Sequence, residues 1–435
     1  MIISKLLNKL NAGKKIGITS VCSANKFVIE AAMKHAKKNK YNLLIESTSN
    51  QVDQFGGYTT MTPNAFVSYV YTIANKIEFP LDNLILGGDH LGPNVWRNID
   101  SYKAMKNAED QIAAYVSAGY TKIHLDTSFV LADDENNNGR LSAKTITERA
   151  ARLCMVAEKV FKENSNTISK PIYVIGTDVP IPGGAIDNEE EIKLTTPEEL
   201  EETIELSRKA FYTQGLEEAW DRVIAVVVQP GVEFSDSKVL PYSSEKNIGL
   251  KKKIESYKNI YFEAHSTDYQ KNDDLIKMVE DHFAILKVGP WLTFAMREAL
   301  FSLNLIENQI FKNKNSVEVS NLDKVLEVEM NKNPNYWKGH YKGTKDEIEL
   351  AKIYSYSDRI RYYWSNKNVD ASVEKMLSNL ERVNISESLI SQFLPNQYKE
   401  LREGLIENNP RDFVQSKITE VLAVYQSATG GNIEK

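Results

Sequence analysis

"LILGGDHLGPN", Leu84 to Asn94, begins as an apolar run and stops at two glycines. Asp89 and His90 come next, and Leu-Gly-Pro then turns the chain. A short continuous apolar run bounded by a turn reads as a strand buried on both faces. Strands of that kind form parallel sheets covered by helices. In such folds chemistry collects at the C-terminal ends of the strands, which is where this stretch presents an acid and an imidazole.

Seven further runs repeat the pattern. Ahead of it lie "KIGITSVCS" (15–23) and "YNLLIESTS" (41–49). After it come "TKIHLDTS" (121–128), "PIYVIGTDVP" (171–180), "VIAVVVQPG" (223–231), "IYFEAHSTD" (260–268) and "FAILKVGP" (283–290). Helical periodicity fills the gaps: Phe27, Val28, Ala31, Ala32 and His35 share one face, as do Leu153, Val156, Ala157 and Val160. Eight strand–helix units over about 290 residues predict an α/β fold, a (β/α)8 TIM barrel. A doubly wound open sheet is the rival, because periodicity alone does not close a ring.

From about residue 305 the pattern turns all-helical, through "AKIYSYSDRIRYYW", "ASVEKMLSNLERV", "ISQFLPNQYKELREG" and "RDFVQSKITEVLAVYQ". The expected organisation is a barrel carrying the site over 1–304 and a C-terminal helical extension packed on it over 305–435. Leu6, Leu7 and Leu10 predict a first amphipathic helix rather than a secretory signal. The final "SATGGNIEK" reads as a frayed tail. Two acidic insertions, "ADDENNNGR" after the fourth strand and "AIDNEEEIKLTTPEEL" after the fifth, read as solvated loops, with a mobile lid as the other reading.

Composition narrows the function. The chain of 435 residues is 42% hydrophobic and 26% charged, with a net charge of −6 and no long basic run, which argues against nucleic acid as partner. Two cysteines, Cys22 and Cys154, give no disulfide framework and suit a reducing cytosol. No apolar run reaches the length of a membrane span, so a cytoplasmic location is expected.

The strand ends carry the chemistry. In order they offer Ser20 and Ser23, Glu46, Asp89 with His90, His124 with Asp126, Asp178, Gln229, Glu263 with His265 and Asp268, and Lys287. So many polar groups converging on one mouth need a shared purpose, because burying them unpaired is costly. Neutral imidazoles and carboxylates bind zinc, cobalt or manganese, so His90 and His265, each just past a strand, read as metal ligands. His124 lies within its strand and reads rather as a satisfied interior histidine, while His35, His282 and His340 read as structural. After the eighth strand, Gly289 and a helix beginning near Thr293 form a corner suited to phosphate, with Lys287 beside it and Ser266 and Asp268 on the preceding turn. Ser23, Asn50 and Asp126 join them as groups expected to face substrate. No GxGxxG or Walker loop is present, so a kinase or dehydrogenase reading has no motif behind it.

Longer motifs add a resemblance. "CSANKFVIEAA", "LLIESTSNQVDQFGGYTTMTP", "LGGDHLGPNVWRN", "KIHLD", "VIGTDVPIPGGA", "VVQPGVEF", "FEAHSTDYQ", "HFAILKVGPWLTFAMREALFSL" and "YSYSDRIRYYW" resemble the GatZ/KbaZ family, in order and along essentially the whole chain. That family is described as the non-catalytic Z subunit of class II D-tagatose-1,6-bisphosphate aldolase, supporting a separate catalytic Y subunit. Some relatives are described instead as metal-dependent 4-epimerases of ketohexose phosphates. Class II aldolases are themselves barrels with an Asp-His pair after a strand. "GGDH" looks like that pair, which implies Asp89 as acid/base and His90 as ligand; "EAHSTD" implies His265 as a second ligand. The place of the remaining aldolase ligand holds Gln229, a poorer donor, so the resemblance leaves Glu46 and Asp178 as further candidates for metal or catalysis.

Three functions follow as expectations. The first is a C4 epimerase of ketohexose 6-phosphates such as fructose 6-phosphate and tagatose 6-phosphate, using a divalent ion (Zn, Co, Ni or Mn) and retro-aldol/aldol chemistry. The second is an accessory subunit for a Y-type tagatose-bisphosphate aldolase. A sugar-phosphate binder on a decayed barrel ranks below both, because a decayed mouth would have lost its charge.

Overall fold

The computed structural model describes residues 2–135, 140–164, 169–179, 192–314 and 316–430. Eight parallel strands stand in a ring: β1 (Ile18–Cys22), β2 (Leu43–Thr48), β3 (Leu84–Leu91), β4 (Lys122–Leu125), β5 (Ile172–Ile175), β6 (Val223–Val227), β7 (Tyr261–Ala264) and β8 (Phe283–Val288). Each pairs with its chain neighbour, and β1 pairs with β8 from Ile18–Ile285 to Val21–Val288, which closes the barrel. The open doubly wound sheet is thereby excluded.

Alternation along each strand sorts the side chains into interior layers. At the N-terminal end Ile18, Leu44, Ile85, Ile172 and Ile285 make an apolar floor. The first helix, Ile2–Asn11, lays Ile3 and Leu6 onto that floor, with Leu7 and Leu10 packed partly against it. Two residues further along the strands the interior turns polar, with Ser20, Glu46, Lys122, Glu263 and Lys287 all buried. Two residues beyond that lie Asp89, His124 and His265, also buried.

The stretch LILGGDHLGPN departs from regular alternation, and its glycines show why. A Cβ on Gly87 would come within 2.8 Å of Glu46 Cγ, so the glycine leaves space for that side chain. One on Gly92 would come within 1.7 Å of the Asp126 carbonyl oxygen. Between them the register of β3 against β4 shifts from Gly88 to Leu91, and His90 adopts φ 48°. The bulge brings two adjacent side chains, Asp89 and His90, to one mouth. A left-handed φ on a residue other than glycine costs about 1–2 kcal/mol.

Helices cover the outside. The slot between Lys26–Asn39 and Asn272–Glu280 is filled by Pro410–Thr429, which also packs along Pro290–Phe311. Tyr425 donates to the Thr267 carbonyl at 2.8 Å, and the Gly17 N–H reaches the Thr429 carbonyl at 3.0 Å. Residue 304, the expected end of the barrel, falls inside helix Pro290–Phe311.

Two features differ from expectation. A small hairpin, Glu233–Phe234 with Val239–Leu240, follows β6. The helix expected over 351–364 stops at Tyr354 and resumes as a short turn, Arg359–Tyr363. Long-range bonds make the break: Ser355 and Ser357 donate to Asp236 Oδ1 at 2.8 and 2.9 Å, and Asp358 takes φ 46°. Parts of both acidic insertions, 136–139 and 185–191, lie outside the described residues. No helix among the described residues is long and apolar enough to cross a membrane.

Candidate active site

Four charged side chains form a square across the barrel. Lys122 Nζ lies 2.7 Å from Glu46 Oε1 and 2.7 Å from Glu263 Oε2. Lys287 Nζ closes the square at 3.3 Å from Glu46 and 3.2 Å from Glu263, and it also pairs with Asp89. Buried ions are tolerated only when paired in this way.

Three imidazoles stand above the square, with ring centroids 4.8 to 5.1 Å apart among His90, His124 and His265. His90 Nδ1 meets Asp126 Oδ2 at 2.7 Å. The carboxylate on Nδ1 fixes the ring, the arrangement found in metal-binding histidines. His124 Nδ1 lies 3.1 Å from both the His90 N–H and Asp89 Oδ1, and its buried Nε2 has no partner among the described residues. His265 Nε2 meets Glu263 Oε1 at 3.0 Å.

Electrostatics follow from this packing. Burial alone would raise the carboxyl of Asp89, but His90 and the Lys287 ammonium outweigh it and hold the group well below the usual range. Asp89 is therefore an ionised acceptor rather than a group poised near neutrality. Burial likewise raises Asp126, and the bond to His90 brings it down to about 2. Burial lowers His124, and burial with the Lys287 charge takes His265 down to about 3. Lys287 is held well above its ordinary value by Asp89, Glu263 and Glu46, against its burial.

The interior therefore holds four buried carboxylates, Glu46, Asp89, Asp126 and Glu263, against two ammonium groups, Lys122 and Lys287. His124 and His265, both depressed, add no positive charge. A surplus of buried carboxylates over ammonium groups in a low-dielectric interior and a carboxylate-fixed histidine together suit a divalent cation. One ligand atom each from Asp89, His124, Glu263 and His265 lies within 4.8 Å of the others.

The expected site residues divide into two groups. Asp89, His90, His265 and Asp126 meet at the mouth, and Glu46 and Lys287 lie beneath it in the square. Asn50, Ser266, Asp268 and Gly289 line the cleft above, and Ser23 borders a side chamber. Gln229 turns away: its Oε1 accepts the Gly231 N–H of its own loop at 2.8 Å. Asp178 accepts from Thr195 at 2.9 Å on the same side. Neither reaches the imidazoles' cluster of ligand atoms.

The corner after β8 also differs from expectation. Asp268 Oδ1 accepts the N–H groups of both Gly289 and Trp291 at 2.9 Å, so a carboxylate of the chain itself occupies the place drawn for phosphate. Burial pushes Asp268 up to about 6 against the pull of those N–H groups.

Three residues escaped the reading of the sequence, Lys122, Arg361 and Tyr362. Lys122 completes the square. His124, read as an interior histidine, is fully buried and stands with the other two imidazoles. Lys122 was signalled by "KIHLD", where Lys122, His124 and Asp126 share the inward face. Arg361 and Tyr362, delivered by the break in the extension, line the cleft opposite Asp268 and Ser266. The charges of Arg361 and Arg359 hold Tyr362 below the usual tyrosine range despite its burial.

A closed (β/α)8 barrel with carboxylates and imidazoles gathered at the strand ends places these groups where barrels of this fold carry their functional sites. Residues 3–430 match the model of the D-tagatose-1,6-bisphosphate aldolase subunit GatZ/KbaZ-like family, and the chain belongs to that family. Among solved structures it is similar to a probable tagatose 6 phosphate kinase from Sinorhizobium meliloti 1021, 42% identical, TM-score 0.86, covering 95% of this chain and 100% of that one. The fructuronate-tagaturonate epimerase UxaE from Cohnella laeviribosi is 9% identical, TM-score 0.48, over 96% of this chain and 82% of its own. A fructose-bisphosphate aldolase from Campylobacter jejuni is 14% identical, TM-score 0.45, over 88% and 95%. At those identities and scores the last two carry no functional argument.

Proposed function

We propose that this chain is a metal-dependent C4 epimerase of ketohexose 6-phosphates, interconverting fructose 6-phosphate and tagatose 6-phosphate. The observation that carries the reading is the triangle of His90, His124 and His265 around the ionised Asp89. His90, His124, His265 and Glu263 would hold the cation, and when bound it would polarise the C2 carbonyl and offset the charge that develops there.

The chain's own groups do the rest. Asp89, held ionised, accepts the proton of the C4 hydroxyl. The C3–C4 bond then breaks, and its electron pair moves into an enediolate across C2 and C3, releasing the C4 carbonyl of glyceraldehyde 3-phosphate. The aldehyde turns its other face, C3–C4 forms again, and the C4 oxygen takes a proton back. Atoms balance without a co-reactant. Burial of the site keeps water from the enediolate.

The family description favours a second reading, an accessory subunit of a tagatose-bisphosphate aldolase. The Lys287 ammonium within the carboxylate cluster agrees with it, since that ion neutralises charge a metal would otherwise meet. A kinase function finds no nucleotide-binding motif in the chain.

The test is direct. The purified chain is stripped of metal, reloaded with cobalt, nickel, zinc or manganese, and incubated with fructose 6-phosphate while carbon NMR follows tagatose 6-phosphate. Metal-dependent product that vanishes in Asp89→Asn is expected. No product with any metal, together with co-purification of an aldolase, would replace the epimerase by the accessory reading.

A further inference from the structure

Among the described residues two cations line the cleft, Lys287 and Arg361. Lys287 is spent on Glu46, Asp89 and Glu263, and the N–H groups after β8 are spent on Asp268. Arg361 is differently placed. Its Nη1 donates to the carbonyls of Ser357 and Asp358, and its Nη2 to the Tyr362 hydroxyl at 2.9 Å. A guanidinium has five N–H donors, so Nε–H and one Nη2–H remain unclaimed. Asp358, on the same turn, gives its carboxylate to Thr293 at 2.6 Å and to Arg297 at 3.4 Å instead. The carbonyl bonds fix the guanidinium plane, and the nearby carboxylates of Asp358 and Asp268 act on it through space without a direct bond.

Arg361 also stands between two spaces. With Gln51 and Tyr58 it borders both the cleft over His90 and His265 and a side chamber lined by the polar groups of Ser23, Asn25 and Ser365. We infer that this chamber is the subsite for the substrate's terminal phosphate monoester, with Arg361 as the residue that selects it. The inference rests on the sugar-phosphate reading above; Gly289 and Thr293 of the β8 corner line the same chamber, so the anion stays beside that corner but is recognised by Arg361 rather than by the N–H groups after β8. A phosphate dianion suits the two free donors, because guanidinium–phosphate bonds are charge-assisted and directional. The sugar's other end then extends toward Asp89.

The test is calorimetric titration of the full chain at low salt with three probes, fructose 6-phosphate, inorganic phosphate and fructose. Arg361→Gln should weaken both phosphate-bearing probes roughly 10- to 100-fold, the loss of charge-assisted hydrogen bonds. Arg361→Lys should recover part of that loss, and fructose binding should not change. Ser365 is exposed, so Ser365→Glu tests the chamber without touching the arginine; it should repel the two anions and leave fructose alone. Equal phosphate affinity in wild type and Arg361→Gln overturns the inference, as does a wild type that binds fructose 6-phosphate no better than fructose. Arg361-dependent phosphate binding without any turnover would support the subsite and reject the epimerase, so the two failures are distinct.

Discussion

Lys122 Nζ lies 2.7 Å from Glu46 Oε1, and neither side chain has exposed surface. The pair is one edge of the charged square beneath the mouth. Removing one partner of a buried ion pair leaves an uncompensated charge and costs about 3–5 kcal/mol. Lys122→Met should lower the unfolding free energy in urea by that amount. Adding Glu263→Gln to it should restore part of the loss. An unchanged urea midpoint in Lys122→Met would show that the square is not under electrostatic tension.

Metal content separates ligands from bystanders. His265→Ala and His124→Ala should each lose most of the bound divalent metal while keeping the circular dichroism of the folded barrel. Gln229→Ala should retain its metal and lose only about 1 kcal/mol, the net value of the hydrogen bond to Gly231. Plasma mass spectrometry on dialysed protein reads both. Retention of metal in His265→Ala would remove that residue from the site.

Glu233, on the hairpin after β6, sets a pH dependence. Burial pushes its carboxyl up to about 7, with Asp268 adding to the rise, while the Phe234 N–H and the Ser266 hydroxyl pull the other way. An acid whose folded value exceeds its unfolded value stabilises the fold fully below the unfolded value, and that contribution is lost as pH rises toward the folded one. Between pH 4.5 and 7 the wild type should lose up to about 3 kcal/mol relative to Glu233→Gln. Urea titrations of both proteins at pH 5 and 8 measure it, and parallel stability curves would contradict the assignment.

Tyr425 links the far end of the chain to the mouth. Its hydroxyl reaches the Thr267 carbonyl at 2.8 Å and Thr267 Oγ1 at 2.9 Å, all buried. Tyr425→Phe should cost about 1 kcal/mol, the net value of a hydrogen bond, since the Thr267 carbonyl keeps the Gln270 N–H at 3.4 Å. A melting temperature equal to that of wild type would show that water replaces the hydroxyl.

The barrel was legible because each strand is a continuous apolar run ending in a polar turn, and "LILGGDHLGPN" announced both properties at once. The place of His90 and His265 at the mouth was legible for the same reason, whereas Asp126, expected to face substrate, is buried against His90 and Ser128. Lys122 was hidden by its place at the start of a strand, where a lysine ordinarily reads as solvated. Its partners, Glu46 and Glu263, lie on strands distant in sequence. Arg361 and Tyr362 were beyond reach, because the break that turns them inward depends on Ser355 and Ser357 finding Asp236, over a hundred residues earlier. Gln229 was drawn inward by likeness to a ligand position, whereas its short-range bond to Gly231 decides its direction. Asp268 shows the same competition, a local carboxylate reaching backbone donors before any ligand does.

Helix Pro410–Thr429, lodged between Lys26–Asn39 and Asn272–Glu280, also bears on how the chain is made. On the ribosome the eight strands emerge more than a hundred residues before the helix that seals the seam between the barrel's first and last units. Until it arrives, apolar surface along Lys26–Asn39, Asn272–Glu280 and Pro290–Phe311 stays open to water and to other nascent chains. Closure of this seam therefore waits for a late segment, and chaperone dependence in the cell should track the emergence of residues 410–429 rather than the completion of β8.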